Sequence, residues 1–343
     1  MVRKIRPWLY LVIAVLFLSA CSKEEQGEKP DPLLPVDKEG TGDNVAPFTG
    51  VLMEEESMLR PVLATVNNHM LARPQSGLSA ADLVYELVAE GNVTRLLAVF
   101  QSELPEEIGP IRSARDYFIE IAKGLDAFYV AHGYSPDAHA LLQVGYVDHI
   151  NGMQHDGTLF KRSPERKAPH NSFISKENIL GAADSTNTSM EMDKLPSLSF
   201  HESLESAKIG EIAQSAIVQN GNHPDYTSNY SYDDVQGTYD RTVDGVLTVD
   251  TANEKKIELT NILVFEAVHE TIDTEGRQAI DLDSGGDGLL FQAGVVREIE
   301  WRNVDGILTP MENGLPAKLV PGKTWIHIVP TSPGLETVVS YTP

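Results

Sequence analysis

The order in which apolar runs and helical patterns alternate constrains the fold of this chain more than any other feature. Arg60-Pro-Val-Leu-Ala-Thr-Val-Asn-Asn68, Thr94-Arg-Leu-Leu-Ala-Val-Phe100 and Ala127-Phe-Tyr-Val-Ala131 are rich in apolar and β-favouring residues, and each predicts a buried strand. Among them stand helical patterns. Ser79 caps a predicted helix carrying Ala81, Leu83, Val84 and Leu87, a second opens at Ser113, and a third starts near Pro136, a residue suited to a first helical turn. Strands alternating with helices predict an α/β domain with a mainly parallel core sheet.

The rhythm changes after Ser215. Ser215–Gln219, Asn229–Tyr232, Val246–Val249, Asn261–Phe265, Leu289–Phe291, Val295–Trp301 and Lys323–Val329 are short runs separated by Gly, Asp or Asn. They predict a smaller β-rich, largely antiparallel domain. In the last run Trp325, His327 and Val329 share one face while Ile326 and Ile328 share the other, which makes His327 a structural or edge residue. The expected organisation is an α/β domain over 51–198, a connecting segment over 199–222 and the β-rich domain over 223–343. One amphipathic helix between Ser197 and Gln214 is expected to join them.

Residues 1–21 are read as a targeting segment. Arg3, Lys4 and Arg6 precede an apolar run from Trp8 to Leu18, too short to span a membrane comfortably. The run ends in Leu18-Ser-Ala-Cys21, which has the form of a bacterial lipoprotein signal cleaved before Cys21. Cys21 is the only cysteine, so it is the expected lipidation point, for palmitate or a related acyl chain, and the folded part holds no disulfide. Acyl chains bind a membrane with about 0.8 kcal/mol per buried methylene. Residues 22–50 are rich in Lys, Glu, Asp, Gly and Pro and predict a disordered tether with a reach of roughly 30 Å. The expected address is the extracytoplasmic face of the cell membrane. The formal charge of −23 excludes a nucleic-acid partner, because there is no positive surplus to displace counterions from phosphate. It also argues against the domain lying flat on anionic lipid.

Gly109-Pro-Ile-Arg-Ser-Ala-Arg115 carries the sharpest chemical signal. Ser113 is a candidate N-cap, with Asp116 at the capping-box position. Arg112 and Arg115 would then occupy a first turn where the helix dipole disfavours cations by a few tenths of a kcal/mol each, about the usual exposed value. An anion held by free backbone N–H groups, the Ser113 hydroxyl and two guanidinium forks explains them. Equally, each arginine pairs with a nearby glutamate such as Glu90, Glu103 or Glu107. Asn67, Asn68, residues 109–115 and 132–137 all lie just past predicted strand ends, where ligands collect in α/β sheets. Lys161, Arg162, Arg166 and Lys167 form a positive island in the proline-rich loop Phe160–Ser172. It is either a solvated loop or, with His170 and Asn171, a rim closing over the arginines.

Several strings resemble the YerB-like bacterial lipoproteins, the DUF3048 family, a domain of unknown function. They are Arg60-Pro61, Asn67-Asn-His69, Ala72-Arg-Pro-Gln-Ser-Gly77, Tyr85-Glu86, Ala89-Glu-Gly91, Thr94-Arg95, Gly109-Pro-Ile-Arg-Ser-Ala-Arg115 and Lys167-Ala-Pro-His-Asn171. Gly276-Arg277 and Gly322-Lys-Thr-Trp325 extend the resemblance into the second half. It implies a lipid-anchored surface protein with an α/β and a smaller β-rich domain, and no settled activity, cofactor or catalytic residue. It also adds Arg73, Arg95 and Lys167 to the candidate anion site.

Familiar catalytic signatures are missing: no Gly-x-Ser-x-Gly, no phosphate loop, no His-Glu-x-x-His and no paired cysteines. Ser113, His132 and Asp137 are weak catalytic candidates. The loop histidines His132, His139, His149 and His155, with Asp137 and Asp156, lack metal-ligand spacing, so neither a metal nor a cofactor is expected. Asp281–Gly288 has glycine at the third oxygen position of a calcium loop and Gln292 where the closing glutamate belongs, and reads as a glycine-rich hairpin. The leading reading is a non-catalytic binding or scaffold module for a cell-wall glycan, an anionic ligand or a wall-synthesis protein. The alternatives are a hydrolase acting on a phosphorylated or carboxylated envelope polymer and, less favoured, a solute receptor.

Overall fold

The computed structural model describes residues 44–54, 58–194, 196, 198–220 and 223–343. The leader, Cys21 and the expected tether up to residue 43 lie outside the described residues. The tether was expected to reach residue 50, but Ala46 and Phe48 are each 1% exposed and Val45 bridges to Leu52. Burial of the Phe48 ring in the core outweighs the Pro- and Gly-rich surroundings that predicted disorder.

In chain order the first half contributes β1 (Val62–Asn67), β2 (Leu83–Glu90), β3 (Val93–Phe100), α1 (Asp116–Gly124), β4 (Phe128–Ala131), α2 (Pro136–Gln143) and β5 (His149–Asn151). The second half contributes β6 (Ser215–Gln219), β7 (Thr227–Asp233), β8 (Thr238–Val243), β9 (Asn261–Ala267), β10 (Gly286–Gln292), β11 (Val295–Val304), β12 (Ile307–Glu312), β13 (Thr324–Pro330) and β14 (Val339–Thr342). A twelve-stranded sheet runs Leu315–Pro316, β12, β11, β10, β9, β13, β2, β3, β1, β4, β5, with Glu211–Ile212 beside β11. β13, from the end of the chain, thus lies between β9 and β2, and both halves share one sheet.

That sheet is mixed rather than mainly parallel. β1–β4, β4–β5, β2–β13 and β13–β9 are parallel, whereas β1–β3, β2–β3 and the run from β9 to β12 are antiparallel. The difference begins at Leu83–Ala89, expected as a helix and observed as strand β2. Both faces of β2 are buried, which erases the period-2 signal, and an apolar run interrupted only by Glu86 fits either period. Gly91, at φ 54°, then folds β2 back onto β3 as a hairpin, and no crossover helix is needed.

The two faces of the sheet carry separate cores. Phe118, Ile121, Ala138 and Leu142 of α1 and α2 cover Leu63, Leu97, Tyr129 and Ile326. On the other face Val66, Phe128 and Trp325 meet Ala216, Val218, Tyr230 and Tyr239. The last four belong to a six-stranded sheet built from β8, β7, β6, β14 and two short strands, antiparallel throughout. β13 alternates as its sequence predicts, Ile326 and Ile328 to one core and Trp325 and Val329 to the other. His327, between them, is 0% exposed in a central strand, not at an edge.

The expected joining helix over 197–214 is replaced by a short strand, Ser199–Phe200, a 3-10 turn, Leu204–Ala207, and the strand Glu211–Ile212. Gly210 at φ 145° is the reason. A Cβ there would lie 2.4 Å from the Val296 carbonyl oxygen, so this backbone closes on β11 in a conformation that no helix contains. The calcium-loop look-alike is a turn into β10, in which Asp281 Oδ1 accepts from the N–H groups of Asp283 and Ser284 at 2.9 and 3.1 Å.

Candidate functional site

Residues 109–115 are extended chain laid across the carboxyl ends of β1 and β4. Asn67 N–H donates to Pro110 O (2.8 Å), Arg112 N–H to Thr65 O (2.8 Å), His132 N–H to Arg112 O (2.9 Å) and Ile111 N–H to Ser172 O (2.6 Å). The expected Ser113 cap is corrected: α1 begins at Asp116, Arg115 occupies the N-cap position, and no side chain caps it. Ser113 is held elsewhere. Its Oγ donates to His132 O at 3.2 Å, and Gly133, at φ 97°, brings the β4 loop so close that a Cβ there would lie 2.5 Å from that oxygen.

Three of the four candidate arginines, Arg95, Arg112 and Arg115, act on Glu90 and divide. Arg95, 2% exposed, donates to both Glu90 carboxylate oxygens at 2.6 and 2.8 Å and to Ser113 O at 2.7 Å. Arg115, also buried, donates to Glu90 Oε2 and to Ala114 O at 2.9 Å. These two answer to the glutamate-pairing alternative, and Glu90 is the partner. Arg112 is different. Its guanidinium is half-buried and makes no hydrogen bond or ion pair among the described residues. Burial, then Arg115 and Arg162, depress its pKa, while Glu90 opposes them. Burial likewise pushes Arg95 down to about 10, with Arg115 adding to it. Burial raises the Glu90 carboxyl, but Arg95, Arg115 and Arg112 outweigh it and hold it below its usual range.

His132 and His170 both lie in the field of Arg112, and His69 packs on the second of them. Asn67 Oδ1 accepts from His69 N–H at 3.0 Å, which turns its amide nitrogen toward His170 Nδ1, 2.9 Å away. His69 and His170 stack at 4.5 Å between centroids. Burial, His69 and Arg112 all lower the His170 pKa. The loop over 163–171 is braced by Asn171, whose amide donates to Ser163 O and Arg166 O, both at 3.2 Å. Arg166 ties the loop to the 72–74 segment through Ala72 O and Pro74 O. Lys167 is exposed, its amine unpartnered among the described residues.

Other sequence candidates are engaged elsewhere. Asn68 Nδ2 donates to Glu86 Oε1 (3.0 Å) and Thr94 Oγ1 (2.8 Å). Arg73 donates to Asn68 O and Asp225 O at 2.7 and 2.6 Å. His132 Nδ1 lies 2.7 Å from Ser172 Oγ and its Nε2 lies 3.0 Å from Arg162 Nη2, while Arg162 pairs with Asp156 at 2.9 Å. Ser113 bonds the His132 backbone, not its ring, and Asp137 is exposed in the first turn of α2. The three weak catalytic candidates therefore do not form a nucleophile–base pair.

Sequence reasoning missed the most deeply buried polar cluster. Glu86, 0% exposed, accepts from Arg241 Nη2, Trp325 Nε1 and Asn68 Nδ2, each at 3.0 Å. Arg241 lies 4.2 Å from the Trp325 ring centroid. His327 is hydrogen-bonded on both ring nitrogens, to Asn220 at 2.8 Å and Tyr230 at 2.7 Å. Burial presses its pKa down to about 4, Arg241 adding to the effect and Glu86 opposing it. A charged residue inside an apolar run was the available signal, since Glu86 interrupts β2 in this way.

A cleft of 490 Å³ opens beside α1, lined by residues that include Asp116, Glu120, Lys123, Tyr146, Lys194 and Asp283. Its polar groups are largely spent on one another. Lys194 donates to Gly124 O and Asp305 O, Tyr146 to Glu120 at 2.9 Å, and Asn303 to Asp283 at 3.1 Å. The arginine cluster, where a half-buried guanidinium without an ion pair among the described residues stands beside unpartnered imidazole nitrogens, is the stronger candidate. No group of residues with metal-ligand geometry occurs among the described residues, and none of their helices is long and apolar enough to cross a membrane.

The N-terminal domain of DUF3048, a protein family of unknown function, matches residues 48–189, and its C-terminal domain matches residues 218–326. YerB of Bacillus subtilis (strain 168), named as a lipoprotein, is 45% identical over 287 residues, covering 83% of this chain and 86% of YerB. The crystal structure of Bacillus subtilis YerB superposes with a TM-score of 0.80 at 43% identity, over 87% of this chain and 99% of that one. With both domains matched in order and the fold shared, this chain belongs to the DUF3048 family.

Proposed function

We propose that this protein is a lipid-anchored, non-catalytic binding module on the extracytoplasmic face of the cell membrane, holding an anionic ligand at Arg112. The ligand would be carried by a cell-wall glycan or a wall-synthesis protein. One observation carries this reading: a half-buried guanidinium that makes no ion pair among the described residues, beside further donors, in a chain of formal charge −23. An unpaired buried cation is costly unless something arrives to pair with it. The YerB name supports the anchor.

The test separates the arginines. Arg112→Ala should weaken anion binding by about 1.5–3 kcal/mol, the range for a charge-assisted hydrogen bond, and leave the melting temperature without ligand little changed or slightly raised. Arg115→Ala should lower that temperature, because it removes a partner of Glu90. Titration calorimetry and thermal melts with phosphate or muropeptide read both effects. Unchanged affinity in Arg112→Ala would overturn the site. The anchor is tested separately: Cys21→Ala should abolish incorporation of a labelled fatty acid, and undiminished label would rule out lipidation there.

A further inference from the structure

We infer that the ligand of the Arg112 site is a terminal phosphoryl dianion, as a phosphate monoester or as the free ion. The inference rests on the anion-binding reading above and names its ligand class. Charge comes first. Arg95 and Arg115 share the single carboxylate of Glu90, and Arg112 adds a third guanidinium to the same cluster. Arg162, the next cation, is neutralised by Asp156. Asp116 lies in the field of Arg115 as well, so Arg112 is the charge left without a carboxylate among the described residues, and the number and kind of donors beside it decide between a carboxylate and a phosphoryl group.

Donor chemistry points the same way. The Asn67 amide donates to His170 Nδ1, and Leu71 N–H donates to His69 Nδ1 at 3.1 Å. Both rings are thereby held as the Nε2–H tautomer. Neither Nε2 has a partner among the described residues, and neither is one of the buried atoms left unsatisfied. The uncommitted groups here are a guanidinium fork and two imidazole N–H groups, donors without an acceptor. A neutral sugar brings a donor proton on every hydroxyl, and a site that offers only donors would leave those protons unmatched. A phosphoryl group offers three acceptor oxygens and close to two negative charges at neutral pH.

Titration calorimetry of the full lipidated chain in neutral detergent, at pH 7.5 and constant ionic strength, tests the assignment. The probes are inorganic phosphate, glycerol 3-phosphate, sulfate and acetate. The dianions should bind at least about tenfold more tightly than acetate. Arg112→Gln should weaken phosphate by about tenfold to a hundredfold, and His170→Ala by about fivefold, following the usual worth of charged and neutral hydrogen bonds. Without ligand Arg112→Gln should melt no lower than the wild type, whereas His170→Ala also gives up the Asn67 hydrogen bond and the His69 stack and should melt lower. Inorganic phosphate bound without glycerol 3-phosphate would identify the free ion, and both bound would identify the ester as an accepted form; either supports the dianion. Acetate binding as tightly as phosphate would overturn the dianion and leave the anion site standing. No heat with any probe, or equal affinities in wild type and Arg112→Gln, would overturn both.

Discussion

Glu86→Ala is expected to lower the stability of the folded protein by about 3–5 kcal/mol, the range for breaking a buried ion pair by removing one partner. The loss is large because Glu86 is not a surface partner. It accepts from Asn68, Arg241 and Trp325, each at 3.0 Å, and from Thr94 Oγ1, also at 3.0 Å, with no exposed surface. Alanine would leave the Arg241 guanidinium charged, 2% exposed and without its carboxylate. Burial pushes the Glu86 carboxyl upward, yet Arg241, the Thr94 hydroxyl and Arg73 hold it below the ordinary carboxylate range. Urea unfolding of the variant should show the drop. A loss below about 1 kcal/mol, the worth of one ordinary neutral hydrogen bond, would mean that the pair does not hold the halves together. Because a buried pair replaced by apolar residues is often neutral, Glu86→Leu with Arg241→Met should recover much of the stability that Glu86→Ala loses.

Acidification from neutral pH to about 4 should cost about 3 kcal/mol of stability through His327 alone, each pKa unit being worth about 1.36 kcal/mol. In the fold this histidine has its pKa lowered from 6.5 to about 4, chiefly by burial. Between those values the unfolded chain binds a proton that the folded chain does not. The contribution is therefore complete above about pH 6.5 and is lost as pH falls toward 4. The groups facing the ring are Asn220 and Tyr230, which hydrogen-bond it, Trp325 on its own strand, and the charges of Glu86 and Arg241. Glu86 is held below the ordinary carboxylate range, so most of this window is crossed before it gains a proton. Denaturation midpoints at pH 7.5, 5.5 and 4.5 in wild type and His327→Gln check the expectation. The variant should show a flatter dependence, and identical slopes would remove His327 as the cause.

What the amino-acid order determined was local. β1, β3, β4 and β6 were legible as compact apolar runs, β1 ending at Asn67 and β6 running into Asn220, and α2 because Pro136 fills a first-turn position. The alternation in β13 assigned Trp325 and Ile326 to opposite cores without reference to any partner strand. Membership of a lipoprotein-like family was legible too, because turn and loop strings such as Gly109–Arg115 are short and contiguous. What tertiary structure alone decided was pairing. Leu83–Ala89 became a strand because β13, from the far end of the chain, lies beside it in parallel, and no periodicity within the segment encodes that neighbour. Glu86 meets Arg241 across 155 positions. Arg95, Arg112 and Arg115 carry the same chemistry in the sequence. Only the fold decides that the Glu90 carboxylate reaches Arg95 and Arg115 and leaves Arg112 without an ion pair among the described residues, because one carboxylate has two oxygens and the backbone places just two guanidiniums within their reach.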